Sequence, residues 1–208
     1  APLQQGGWEG AGDHSRAKGL LSLMEGPGSP NRALLLSGVR GVGKTVLLNE
    51  LEDTAAAQGW ITLRSYPRSN MIEELVSTTI PQTISTLDPQ KERTVSGGSI
   101  AGVGGIRTSD NPKLLESAPT LITRLRELAE HSTGILITLD ELQAAQPEPL
   151  HELATAVQDL IRDEYEIAIA CAGLPHGVEQ LLQHEGTTFM RRATRIDLHA
   201  VADDDVSE

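Results

Sequence analysis

The sequence predicts an α/β fold built on a parallel sheet with helices on both faces. Apolar runs of strand length recur along the chain, stretches of helical periodicity separate them, and a glycine-rich loop joins the first run to the first such helix. Strands buried on both faces read as near-continuous apolar runs, and parallel neighbours need a crossover of helix length between them. At 208 residues and 22.3 kDa the chain has the size of one domain with its own core.

The first strand is read at Ala33 to Ser37. The helix after the loop is Thr45 to Gln58, with Val46, Leu47, Leu48 and Leu51 apolar and Gly59 as its terminator. Trp60 to Tyr66 (WITLRSY) is β-rich and partly alternating, so it completes a βαβ unit. Residues 70–87 are expected to hold a helix ended near Pro81, because proline lacks the N–H that continues the ladder. The stretch SGGSIAGVGGI at 96–106 reads as a flexible or β-hairpin excursion, since no Lys-Ser/Thr pair follows it. In 119–131, Leu121, Ile122, Leu125 and Leu128 share a helical face; Gly134 then breaks the helix, and Ile135 to Leu139 is the third strand. The Pro-Glu-Pro at 147–149 opens a helix with Leu150, Leu153, Val157, Leu160 and Ile161 on one face. Ile167 to Ala172 and Thr194 to Leu198 are the last two strands. Residues 1–31 read as an N-terminal flank with a short helix in SRAKGLLSLME, residues 32–200 as the core, and 201–208 as the start of a truncated lid or tail.

Seventeen Lys and Arg against 29 Asp and Glu leave a net charge of −12, which repels a nucleic-acid backbone. The few aromatic residues are too scattered to stack bases. One cysteine, Cys171, permits no internal disulfide, and no apolar run is long enough for a bilayer, so a cytoplasmic setting without membrane contact is expected. The histidines at 14, 131, 151, 176, 184 and 199 lack metal-ligand spacing.

Chemistry concentrates in LLLSGVRGVGKTVLL. Gly38, Gly43, Lys44 and Thr45 fit G-x-x-x-x-G-K-[ST] between a buried strand and an amphipathic helix, with Gly41 as an extra glycine. Such a loop needs glycines because its backbone N–H groups must converge on phosphate oxygens, with positive φ and close approach. The following helix aims its N-terminal N–H groups and dipole at the same anion. Gly38, Val39, Arg40, Gly41, Val42, Gly43, Lys44, Thr45 and Val46 are therefore the expected nucleotide cradle, with Lys44 on the β- and γ-phosphates and Thr45 on Mg²⁺.

The third strand ends ILITLDE. Asp140 at its tip is the expected second Mg²⁺ ligand beside Thr45, and Glu141, one residue on, is placed to polarise a water for in-line attack. The developing charge on the γ-phosphoryl group calls for a cation, and Arg191 and Arg192 are the candidates for an arginine finger acting in trans. No N-K-x-D or D-x-x-G element points to guanine nucleotides.

Through LLLSGVRGVGKTVLLNEL, ILITLDELQ, IAIACAGLP and FMRRATRIDL, the chain resembles the AAA+ and STAND-like P-loop ATPases, in particular the origin-recognition-type AAA ATPase domains of bacteria and archaea. The resemblance implies a P-loop NTPase three-layer sandwich with sheet order 5-1-4-3-2, ATP with Mg²⁺ as cofactors, and hydrolysis coupled to conformational change or assembly. It also implies a role for Gln143 in sensing the γ-phosphate. Against the resemblance three departures are read: the strand at 167–172 lacks the polar residue of the family's first sensor, the helical lid with its second sensor is expected to be missing from this segment, and so is any winged-helix or effector domain. The expected function is thus a Mg-dependent ATPase. The alternative is a nucleotide-gated interaction or signalling module with little or no hydrolysis. Expected partners are ATP or ADP, a nucleotide-dependent homo-oligomer and an unidentified protein, with DNA contacted only through domains outside this segment.

Overall fold

The computed structural model describes residues 13–24, 32–89, 119–183 and 190–199. The glycine-rich 96–106 stretch and the 201–208 tail lie outside them.

Five strands, β1 (Ala33–Gly38), β2 (Trp60–Ser65), β3 (Gly134–Leu139), β4 (Ile167–Gly173) and β5 (Thr194–Leu198), form one parallel sheet in the order β2-β3-β4-β1-β5. This is the order implied by the resemblance. Every residue of β1, β3 and β4 is buried, whereas the edge strands β2 and β5 are partly exposed, which is why the central strands are written as unbroken apolar runs.

Two helices cover one face: α1 (Asp13–Met24) and α2 (Lys44–Ala57). Leu47, Leu48, Leu51 and Ala55 of α2 pack with Leu34, Leu36, Leu136, Ala168, Ala170 and Ala172 from the sheet. Ala17, Leu20, Leu21 and Met24 of α1 belong to the same buried cluster. The helix read from the sequence as part of a flank thus supplies part of this layer. Each fully buried leucine or methionine contributes roughly 1.5–3 kcal/mol.

Among the described residues the other face carries α3 (Met71–Glu74), α4 (Ile80–Leu87), α5 (Leu121–Ala129), α6 (Pro147–Arg162) and α7 (Pro175–Gln183). Ala33, Leu35, Ile135, Ile137, Leu139, Ile167, Ile169 and Cys171 face this layer. A reciprocal pair starts α5, with Thr123 N–H donating to Thr120 Oγ1 at 3.4 Å and Thr120 N–H to Thr123 Oγ1 at 2.9 Å.

Two expectations are corrected. The helix over 70–87 does not end near Pro81: a π turn at Leu75–Thr79 joins α3 to α4, and Ile80 N–H donates to Leu75 O. Widening the turn by one residue just ahead of proline relieves the contact between its ring and the preceding turn, so the helix continues through it. Gly134 does not break the preceding helix, which already ends at Ala129 with Glu130 as its C-cap. It begins β3 beneath Trp60, and a Cβ there would lie 2.5 Å from the indole ring.

Gly134→Ala must therefore push the indole out of its seat, an overpacking cost of about 1–3 kcal/mol. A matching fall in the urea midpoint, larger than that of Ala→Ser at an exposed position such as Ala144, is the expected reading.

Cys171 is fully buried in β4, and burial raises its thiol pKa from 9.0 to about 12. Because the folded pKa lies above the unfolded one, the thiol's contribution to stability is complete below pH 9.0 and is lost as pH rises toward about 12. A disulfide reagent at pH 8 is expected to label the native chain only at its unfolding rate, and fast labelling of folded protein would contradict this burial.

Candidate functional site

The carboxyl ends of β1, β3 and β4 place the loop 38–44, Asp140–Gln143 and Leu174 on one edge of the sheet. Within the loop the glycines do different work. Gly41 and Gly43 take φ of 81° and 96°, in the left-handed region, so Gly41 is a required turn residue rather than extra slack. Gly38 has no such φ. A Cβ on it would lie 2.7 Å from Val42 Cγ1 and 2.8 Å from Leu198 O, so close approach to β5 excludes a side chain. Lys44 opens α2 and folds back, with Nζ donating to Gly38 O and Val39 O, each at 2.8 Å. Its ammonium thus spans the loop mouth, while Val39, Arg40, Gly41, Thr45 and Val46 are exposed there.

Strand periodicity delivers Asp140. Leu136 and Thr138 point to the α2 face, and Asp140 follows in the same alternation. Thr45 Oγ1 donates to Asp140 Oδ2 at 2.5 Å, and Glu141 N–H donates to Asp140 Oδ1 at 2.8 Å. A hydroxyl and a carboxylate in direct contact form an all-oxygen donor pair. That fits magnesium, which takes few protein ligands and completes its shell with water and phosphate oxygens. Among the described residues no cluster of three or more His, Cys, Asp or Glu side chains could hold a metal ion.

Glu141 is exposed and sits at φ 55°, ψ 42°, a left-handed conformation unusual for a residue with a Cβ. The Glu141 N–H bond to Asp140 supports it locally. In the 3₁₀ turn Leu142–Ala144, Leu142 is buried and Gln143 reaches back, its Nε2 donating to Glu141 Oε2. Gln143 Oε1 accepts the Leu174 N–H at 3.0 Å. The structure therefore brings Lys44, Thr45, Asp140, Glu141 and Gln143 together.

It does not bring Arg191 and Arg192 to them. They lie in a 3₁₀ turn ahead of β5, whose first residue pairs with Leu34 while its last pairs with Gly38. At ~3.3 Å per residue, this puts them about 13 Å or more down the sheet from the loop. Arg191 Nε donates to Leu182 O at 2.6 Å and its other nitrogen to Gln183 O at 3.2 Å, closing the C-terminal end of α7. Among the described residues no hydrogen bond or ion pair joins either arginine to the loop or to residues 140–143.

Sequence reasoning missed a cation beside the Thr45–Asp140 pair. Thr45, Leu48, Asn49, Arg64, Tyr66, Thr138 and Asp140 line a cleft of about 150 Å³. Arg64 bonds Glu52 through Nε at 3.1 Å and a terminal nitrogen at 2.6 Å, and also donates to Asn49 Oδ1. Thr138 Oγ1 donates to the same Glu52 carboxylate. The hydrogen bond to Glu52 raises the Arg64 pKa most, desolvation opposes it, and charges including Asp140 add to the rise. The signal was the alternation in WITLRSY, which turns Trp60, Thr62 and Arg64 toward α2.

No described helix is long and apolar enough to cross a membrane. No curated protein sequence is similar enough to match. Among solved structures, the Aeropyrum pernix ORC2 protein in its ADP form superposes with a TM-score of 0.52 at 16% identity, over 89% of this chain and 47% of that one. The ADPNP–ADP complexes of that protein give 0.52 at 17% identity, over 94% and 49%. AMPPCP-bound DnaA from Aquifex aeolicus gives 0.47 at 16%, over 91% and 47%. At 16–17% identity the likeness to the Aeropyrum pernix protein is one of fold, and this chain spans about half of its length. Residues 17–169 match the family described as AAA ATPase domain, and with most of its length inside that match, carrying the loop and the β3 tip, the chain belongs to the AAA ATPase domain family.

Proposed function

We propose that the chain binds ATP with Mg²⁺ at the loop 38–46 and hydrolyses it, coupling nucleotide state to conformational change or assembly. The observation that carries this reading is the 2.5 Å bond from Thr45 to Asp140, which joins the loop helix to a strand tip that also bears Glu141. Lys44, now on the Gly38 and Val39 carbonyls, would exchange them for β- and γ-phosphate oxygens. Thr45 and Asp140 would hold Mg²⁺, which when bound offsets the charge of the phosphates. Glu141 would take a proton from water as its oxygen bonds to the γ-phosphorus and the bond to the ADP oxygen breaks.

Arg191 and Arg192 lie too far down their own sheet to serve their own loop, which supports the trans reading: one would meet a γ-phosphoryl group across a contact with a second copy. Arg191 already holds the end of α7, so Arg192 is the freer candidate. With its net charge of −12, this segment is a poor DNA surface, and any DNA contact would fall to other domains. A cytoplasmic setting and an unidentified protein partner belong to the same proposal.

A second reading, a nucleotide-gated module with little turnover, has one observation behind it: β4 ends Ala170, Cys171, Ala172 and Gly173, with no amide, hydroxyl or charge. Single-turnover hydrolysis at high protein concentration separates the two.

Lys44→Ala is expected to lose nucleotide binding. Glu141→Gln is expected to keep binding and to lose turnover about 100-fold or more, the usual range for a general base. Equal turnover in Glu141→Gln and the parent would remove Glu141 from its role. Mass measurement is expected to show assembly with ATP and Mg²⁺ and none without nucleotide, and Arg192→Ala should assemble yet turn over slowly.

A further inference from the structure

The end of β4 offers no polar side chain to the site, yet the space beside it is filled. Gln143 reaches there from the β3 side, and its carboxamide is held at both ends. Oε1 accepts the Leu174 N–H at 3.0 Å, and Nε2 donates to Glu141 Oε2. A carboxamide carries acceptor and donor on one carbon, which neither a carboxylate nor an ammonium can reproduce. The seat is shaped to fit. A Cβ on Gly173 would lie 3.2 Å from Gln143 Oε1, and a Cβ on Gly177, in the first turns of α7, would lie 2.0 Å from Gln143 Cβ and 2.9 Å from its Cα. Two glycines from β4 and α7 thus leave room for one glutamine side chain and its backbone.

The geometry points to Gln143 as a positioning residue that binds one oxygen of Glu141, leaves the other to meet the attacking water, and ties that carboxylate to the junction of β4 and α7. This rests on the reading that Glu141 acts on water. It deepens that reading, because the seating of α7 then sets the aim of Glu141. The far end of α7 is where the Arg191 guanidinium holds the Leu182 and Gln183 carbonyls. A helix of nine residues, roughly 13 Å long, therefore runs from the Glu141 support to the arginine pair. A displacement of the arginines by a second copy would be felt at Gln143 through this rigid element.

The test uses the full chain with Gln143→Ala, Gln143→Glu and Gly177→Ala, each checked for folding by thermal unfolding. Three quantities are read: kcat and KM for ATP hydrolysis, equilibrium affinity for an ATP analogue, and amide hydrogen exchange at Leu174 in the nucleotide-free chain. Gln143→Ala should lower kcat about 10- to 100-fold, the scale of a misplaced catalytic group, with KM and analogue affinity unchanged, and should speed Leu174 exchange. Gln143→Glu should keep Leu174 protected, since a carboxylate still accepts its N–H, yet lose kcat, since it no longer donates to Glu141. Gly177→Ala should reproduce the kcat loss from α7 and add little to Gln143→Ala in the double variant. A purely structural role would move Leu174 protection and kcat together in Gln143→Glu, and that result overturns the proposal. So does turnover that depends on Glu141 but survives Gln143→Ala. Turnover unchanged by Glu141→Gln instead sinks the hydrolytic reading, and the positioning role falls with it. Should Gly177→Ala fail to fold, the two Gln143 variants decide.

Discussion

The Asp140 carboxylate is the contact on which the rest of the site depends, because it is where two separate pieces of the fold are pinned together. One oxygen takes the Thr45 hydroxyl from the start of α2, and the other takes the Glu141 backbone N–H from the end of β3. β1 and β3 are not neighbours in the sheet, since β4 lies between them. For the loop after β1 to meet the tip of β3, α2 must cross over β4 at close range. The α2-facing residues of β4 are Ala168, Ala170 and Ala172, which have nothing beyond Cβ to hold the helix away. The choice of alanine on the strand that separates the two motif-bearing strands is thus part of the site's geometry.

The same pair of bonds explains how an acidic chain tolerates adjacent carboxylates beside the glycine-rich loop. Asp140 is compensated by a hydroxyl and an N–H, and Arg64 contributes positive potential from β2 while its own charge is matched by Glu52. This cation is partly exposed, so its direct contribution to stability is small. Its effect is local: it shares a cleft with Thr45 and Asp140, where screening by water is weaker than on open surface.

Much of this was legible in the sequence because it follows from period. Five strands were placed to within a residue or so at each end, and alternation alone sends Leu136, Thr138 and Asp140 to the α2 side. The motif glycines were legible as a set, but not the division between Gly41 and Gly43, which supply φ, and Gly38, which supplies clearance. What could not be read depends on three-dimensional proximity. Pro81 looked like a stop because the π turn that accommodates it is a feature of packing and backbone relaxation, not of local propensity. Gly134 looked like punctuation because its reason is the Trp60 ring, 74 residues earlier in the chain and paired with it across the sheet. The Gln143 seat joins residues 31 apart, and its glycines carry no signature that distinguishes them from ordinary turn residues.

A separation of duties follows from the backbone at Glu141. In a continued strand, residues 140 and 141 would point to opposite faces, and the left-handed turn at Glu141 ends the strand while keeping that divergence. Such a conformation costs on the order of 1–3 kcal/mol for a residue with a Cβ, and the bond from its N–H to Asp140 offsets part of it. In return, Asp140 stays on the α2 side with the donors suited to a cation, and Glu141 is carried toward Gln143 and the β4 end. Two carboxylates in sequence therefore occupy two environments, one tied to the loop helix and one tied, through an amide, to α7. The first is fixed between α2 and the end of β3, and the second rests on a side chain seated against β4 and α7.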